Sequence, residues 1–184
     1  VLTSNGAALA PTWQAAAGGG GTVEIQQWID AADFALPDTG FAARAKYGTT
    51  WVNTVLDYDS ATREAAHYKF QIPNGASVST TTVDLFWTAG SSTGDVVWEI
   101  GFRSADDDEV FDATTTPSRA SASVTDTLLA TNDIHIAQAT LTQLVGSAIA
   151  GDFLQLNVTR DGGIGGDTLG ADARLFGAMV RIRA

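Results

Sequence analysis

Residues 80–104 read TTTVDLFWTAGSSTGDVVWEIGFRS, and the fold is decided here. Val83, Leu85 and Trp87 share one parity, with Asp84, Phe86 and Thr88 on the other. Beyond a Gly/Ser/Thr turn, Val96, Trp98, Ile100 and Phe102 alternate with Val97, Glu99, Gly101 and Arg103. Period-2 alternation rich in β-branched and aromatic residues is the signature of half-buried strands. The segment Ala89–Gly94 is long enough for a hairpin loop and supplies two glycines for unusual backbone angles. The pattern therefore predicts a hairpin with Trp87 and Trp98 meeting on its core face. Each buried indole removes roughly 150–250 Å² from water, about 4–6 kcal/mol gross at ~25 cal/mol per Å².

The same reading extends outward. Upstream, Thr22–Ile29, Phe41–Tyr47 and Trp51–Tyr58 read as strands, the last with apolar residues on both faces, as a central strand requires. Ala66, Tyr68, Phe70 and Ile72 then alternate with His67, Lys69 and Gln71, and Pro73-Asn74-Gly75 ends that strand. Downstream, Ser121–Leu129 and Asp133–Leu141 follow a long loop. Phe153–Arg160 turns Leu154, Leu156 and Val158 inward. Arg174–Arg183 closes the chain with Phe176, Ala178, Val180 and Ile182 on one face. Leu141–Ile149 has helical spacing, limited to a turn or two by Gly146 and Gly151. About nine strands at roughly 8–12-residue spacing specify an all-β, antiparallel β-sandwich of jelly-roll type over residues 22–184. A parallel α/β fold needs crossover helices, and none is visible.

Residues 1–21, VLTSNGAALAPTWQAAAGGGG, are different: small, uncharged and ending in four glycines. Such a segment buries too little to fold alone, which makes it a linker or the end of a shaft packed against copies of itself. In the second case Leu2, Leu9 and Trp13 are the contacts about a threefold axis. The chain begins with Val rather than Met, as expected of a piece of a longer polypeptide.

The 184 residues carry 21 acids against 10 bases, a net charge of −11. Nucleic acid and anionic membranes are therefore disfavoured as partners. No apolar run approaches the ~20 residues of a membrane span. The sequence has no cysteine, so disulfides, thiolate metal sites and cysteine nucleophiles are excluded. Two acidic stretches have the composition of an oxygen-ligand Ca²⁺ site. Asp106, Asp107, Asp108, Glu109 and Asp112 form a charge run, for which a solvated loop is the plainer reading. Asp161, Asp167 and Asp172 bracket GGIGGDTL, which matches one copy of a calcium-binding nonapeptide. That motif binds between stacked repeats, so a single copy reads as a hairpin loop. No cofactor is expected. His67 and His135 lie opposite their strands' apolar residues, as surface or crevice histidines. No nucleophile elbow, HExxH or phosphate loop occurs. A pair such as Asp57/Asp59 points to glycoside hydrolysis only by being two acids in an acidic chain. The sequon Asn157-Val158-Thr159 sits inside a predicted strand. Trp51, Tyr47 and Tyr58 are candidates for a sugar-stacking platform, with core packing the default.

The opening phrase, through Ser4-Asn5-Gly6 and Pro11-Thr12-Trp13, resembles an element beside the trimeric shaft of bacteriophage tail-fibre and related virion proteins. DLFWTAGSSTGDVVWEIGFRSADDDEVFD, NDIHIAQATLT, GDFLQLNVTRD and DTLGADARLFGAMVRI resemble a β-sandwich at the C-terminal ends of phage and prophage virion proteins. The resemblance implies a non-enzymatic virion structural and binding module on the virion surface: the receptor-binding end of a tail fibre. Its expected partners are itself, as a homotrimer, other virion proteins, and host surface glycan or protein. A capsid decoration or head-fibre protein is the alternative, and a fibre-borne glycan depolymerase the enzymatic one. The oligomer is directly testable. The intact chain should sediment as a trimer at micromolar concentration, and a monomer would remove the shaft reading of residues 1–21.

Overall fold

The computed structural model describes residues 2–3, 12–13, 24–72, 80–90, 93–105, 107–108, 120–142 and 151–183. Strands β1 (Leu2–Thr3) and β2 (Thr12–Trp13) pair antiparallel, Leu2 opposite Trp13. Leu9 and Gly18–Gly21, the rest of the proposed shaft contact and joint, lie outside the described residues. So do Asp106, Glu109 and Asp112 of the acidic run, and the turn or two of helix expected within 143–149.

Ten further strands build the sandwich. They are β3 (Glu24–Asp30), β4 (Ala43–Tyr47), β5 (Asn53–Tyr58), β6 (Arg63–Gln71), β7 (Thr80–Ala89), β8 (Gly94–Ala105), β9 (Ala120–Leu128), β10 (His135–Thr142), β11 (Phe153–Asp161) and β12 (Ala173–Arg183). One sheet has the order β10-β7-β12-β5-β4, with β3 continuing the β5 edge of β12; the other has the order β6-β11-β8-β9. All these strand pairs are antiparallel, and no α-helix occurs among the described residues, only a 3-10 turn at Ala31–Asp33. The all-β, jelly-roll-like sandwich is therefore the fold.

The central pair of strands is not a hairpin. β7 lies between β10 and β12 in the larger sheet, and β8 lies between β11 and β9 in the smaller one. The chain therefore changes layers between the end of β7 and the start of β8. The two tryptophans do meet, but across the core: their ring centroids are 6.2 Å apart at an interplanar angle of 67°. Alternation fixes which face of a strand is buried and says nothing about which strand pairs with it. The glycine-rich loop 162–172 is likewise an inter-sheet crossing rather than a hairpin, joining β11 to β12. Gly94 serves the first crossing. Its φ is +144°, and a Cβ there would lie 2.6 Å from the carbonyl oxygen of Thr168, a conformation and a contact that only glycine tolerates.

Inward residues follow the expected parities along β7, β8 and β11. Two strands depart from them. In β12 the register with β7 shifts between Leu175 and Gly177, so Leu175 turns inward and Phe176 outward, against Tyr47. A bulge of one residue reverses every parity before it. In β10, Ala137, Ala139 and Leu141 face the core while Ile136 is exposed. His135 shares the buried parity, not the opposite one, and its ring lies 5.2 Å from that of Trp87. The small alanines stand opposite Leu85 and Val83 of β7.

At the end where both crossings lie, Arg160 is fully buried. All five of its N–H groups are used. Nε and Nη2 donate to the two Asp167 carboxylate oxygens at 2.9 and 2.8 Å, and Nη1 and Nη2 donate to the carbonyls of Tyr58, Ala171 and Leu169. Tyr58 in turn donates its hydroxyl to the Val158 carbonyl and sets its ring edge-on to Trp98 at 5.1 Å. Trp98→Ala should therefore lower unfolding stability by about 3–5 kcal/mol. An unchanged urea midpoint would contradict the placement of this indole.

Candidate functional site

The outward residues of the smaller sheet form a groove of about 730 Å³. Register sets the outward residues of this sheet in rows across the strands, in which Lys69, Ala65 and Thr159 stand beside residues that line the groove. One row is His67 on β6, Asn157 on β11, Gly101 on β8 and Ser121 on β9. The next, toward Gln71, is Lys69, Gln155 and Arg103; the one on the other side is Ala65, Thr159, Glu99 and Ser123. Gly101 leaves the central strand without a side chain between Glu99 and Arg103, and that gap deepens the groove. The alternation of β8 predicts this outward set, but a row across four strands depends on pairing that sequence alone does not give.

On the floor, the side chains of His67 and Asn157 face each other across β6 and β11, and the buried His67 Nδ1 and Asn157 Oδ1 form no well-aligned hydrogen bond among the described residues, although the two side chains are close enough to interact. Asn157 Nδ2 is used, donating to Thr159 Oγ1 at 3.0 Å. A buried polar atom left unpaired costs about 1–3 kcal/mol, a cost that a hydroxyl-bearing ligand or water removes. Burial pushes the His67 imidazole below the ordinary histidine range; hydrogen bonding with the Asn157 side chain opposes this, and the positive charges of Arg103 and Lys69 add to it. The imidazole is thus neutral at pH 7, able to donate from one nitrogen and accept at the other. Arg63 at the groove end bridges Glu99 and Asp161, the latter at 3.2 Å.

The other sequence-predicted residues fall elsewhere. Asp161, Asp167 and Asp172 do not converge: Asp161 is held by Arg63, Asp167 by Arg160 and the Val97 amide, and Asp172 accepts from the Ser60 amide. Asp107 and Asp108 are exposed, and among the described residues no three His, Asp or Glu side chains form a metal-binding group. Asp59 caps the 59–62 turn, accepting from the Ala61 and Thr62 amides, which holds its carboxyl below the usual carboxylate range. Burial pushes Asp57 up, while Arg174 beside it acts in the opposite sense. Asp57 is thus tied to Arg174, at 3.5 Å, and Asp59 to its own turn. Of the three aromatic candidates, Tyr58 is core. Tyr47 lies under the Arg174 guanidinium at 5.5 Å. Trp51 is 84% exposed, in the turn before β5 rather than in the strand. A smaller pocket of about 440 Å³ opens beside Arg174, Asp172 and Asn132 at the crossing end.

The titration of His67 gives a direct check. Its folded pKa lies below the unfolded value of about 6.5, so the unfolded chain binds the extra proton first. Its share of stability is complete above pH ~6.5 and is lost as pH falls below that value. The His67 ring resonances should therefore shift only below pH ~6.5 in an NMR titration. A midpoint at or above that value would show an imidazole in contact with water.

No family model matches this sequence, and no curated protein matches it. Among solved structures, the chain resembles the CBM35 from Cellvibrio japonicus Abf62, at a TM-score of 0.50 and 8% identity over 85% of this chain and 92% of that one. It also resembles a carbohydrate-binding module of Cellvibrio mixtus lichenase 5A in complex with cellotriose, at a TM-score of 0.51 and 13% identity, covering 84% of this chain and 95% of that one. The likeness is one of fold.

Proposed function

We propose that this chain is a non-enzymatic glycan-binding module whose ligand lies in the groove across β6, β11, β8 and β9. The observation that carries this reading is the groove floor: a glycine gap beside the facing side chains of His67 and Asn157, whose buried Nδ1 and Oδ1 form no well-aligned hydrogen bond among the described residues, with Ser121, Ser123 and Gln155 around them. Paired donors and acceptors at the strand spacing suit the vicinal hydroxyls of a pyranose. The volume is within the range of small-ligand sites, about 300–1,000 Å³. Solved carbohydrate-binding modules of the same fold make such a role chemically reasonable. Hydrolysis is the weaker reading, because it needs two carboxylates facing one bond. Of the described residues lining the groove only Glu99 carries a carboxylate, and it is held by Arg63.

The setting we propose is the surface of a virion, as the receptor-binding end of a trimeric tail fibre. It rests on the resemblance of residues 1–14 and of the strand segments to phage proteins. Leu2, Leu9 and Trp13 would then be the threefold contacts, and a capsid-decoration role would use the same groove. Ca²⁺ enters this reading at no point.

Filling the gap tests the site. Gly101→Phe places a ring over the floor on an outward position, so binding on a glycan array should fall about tenfold or more, a loss of about 1.4 kcal/mol, with the fold retained by circular dichroism. Undiminished binding would move the ligand off this sheet. Release of new reducing ends from a bound polysaccharide would overturn the non-enzymatic reading.

A further inference from the structure

The charges around the groove are unevenly satisfied. Three of the ten basic residues of this −11 chain stand on its outer sheet face: Arg63, Lys69 and Arg103. Arg63 is neutralised by Glu99 and Asp161. Lys69 and Arg103 are exposed and form no ion pair among the described residues. They occupy one row, each directly opposite Gln155, on the strands either side of it. Adjacent strands are about 4.8 Å apart, so the two backbones flank Gln155 at a separation of roughly 10 Å. Two long cationic side chains can converge on one anion above it. Both act on His67 in the next row, where their positive charge disfavours a third cation.

We infer that the groove selects an acidic glycan, one whose carboxylate sits over Gln155 between Lys69 and Arg103 while its ring hydroxyls meet His67 and Asn157. The inference rests on the glycan-binding reading above and adds the chemical class of the ligand. Rows on one sheet face are two residues apart, about 6.7 Å, which matches a carboxylate displaced from its own pyranose ring. The Arg103 guanidinium offers the planar fork that a carboxylate accepts bidentately, and Lys69 adds a compact charge. A neutral sugar would leave both cations without an anion. The net charge of −11 disfavours polyanions over the chain as a whole, and the two cations of this row offset it locally.

A glycan array carrying uronate and sialate oligosaccharides, their carboxyl-methylated counterparts and sulfated glycans tests the inference with the intact chain. Binding should be restricted to the free carboxylates and should weaken between about 50 and 500 mM NaCl. Arg103→Gln and Lys69→Gln, both on exposed outward positions, should each weaken binding about tenfold or more and leave the melting temperature unchanged. Equal binding of the methylated sugars, sulfated glycans alone, or variants that bind as well as the parent would overturn the acidic class and leave the groove as a neutral-glycan or sulfated-glycan site. No binding to any glycan would overturn the glycan-binding reading itself.

Discussion

The buried pair of Arg160 and Asp167 governs the end of the sandwich where the chain changes sheets. A guanidinium without contact with water is tolerable only if every N–H is used and the charge is answered. Here both conditions hold through a bidentate carboxylate and three backbone carbonyls. Those carbonyls belong to the end of β5 and to the 162–172 crossing, and Asp167 also accepts the amide of Val97 on β8. One side chain thus ties together strands of both sheets and the loop that joins them. Removing either partner leaves the other charge buried alone, a loss of about 3–5 kcal/mol. The same clamp lets a segment with four glycines at 162–166 hold one conformation: the Thr168 and Leu169 amides donate to the Asp95 carbonyl at 2.8 and 2.9 Å.

Nothing in the sequence marks Arg160. It ends a strand whose inward set is apolar, and Asp167 reads as part of a metal-binding motif. Only the meeting of two loops reveals that the aspartate's partner is a cation of its own chain. What is legible is the local alternation. Val83, Leu85 and Trp87, and then Val96, Trp98, Ile100 and Phe102, are buried, as the period-2 rule requires. What is illegible is pairing. Residues 80–104 look like a hairpin because two good strands flank a short turn, but a turn that changes layers has the same composition. The reversal at Phe176 has a different cause: a one-residue bulge leaves no trace in hydrophobic alternation. Ile134 and Ile136 mislead for a third reason, since two isoleucines outweigh Ala137 and Ala139 on any hydrophobicity scale, although the alanines are the buried pair.

The candidate site is legible only in pieces. Glu99, Gly101 and Arg103 are the outward set of β8 in the sequence, His67 is an outward histidine, and Asn157 appears as a discounted sequon. Their convergence depends on β11 standing between β6 and β8, strands that are distant in the chain. The aromatic platform expected of Trp51, Tyr47 and Tyr58 follows from composition, and packing disperses it by assigning Tyr58 to the core and Tyr47 to Arg174. A polar, rather than aromatic, floor is what the fold supplies.

The position of β12 has a temporal consequence. It is the last strand of the sandwich to be made and also an interior strand of its sheet, with β7 along one edge and β5 and β3 along the other. Every hydrogen bond it makes in the sheet reaches back to a strand made much earlier. During synthesis the larger layer therefore stays divided, its β7 and β5 edges open, until residues 173–183 leave the ribosome. Closure by such non-local pairing is slow, and the open edges are adhesive in the meantime. The sandwich is thus completed all at once and from its final strand, and loss of a few residues from β12 would split the sheet rather than trim it.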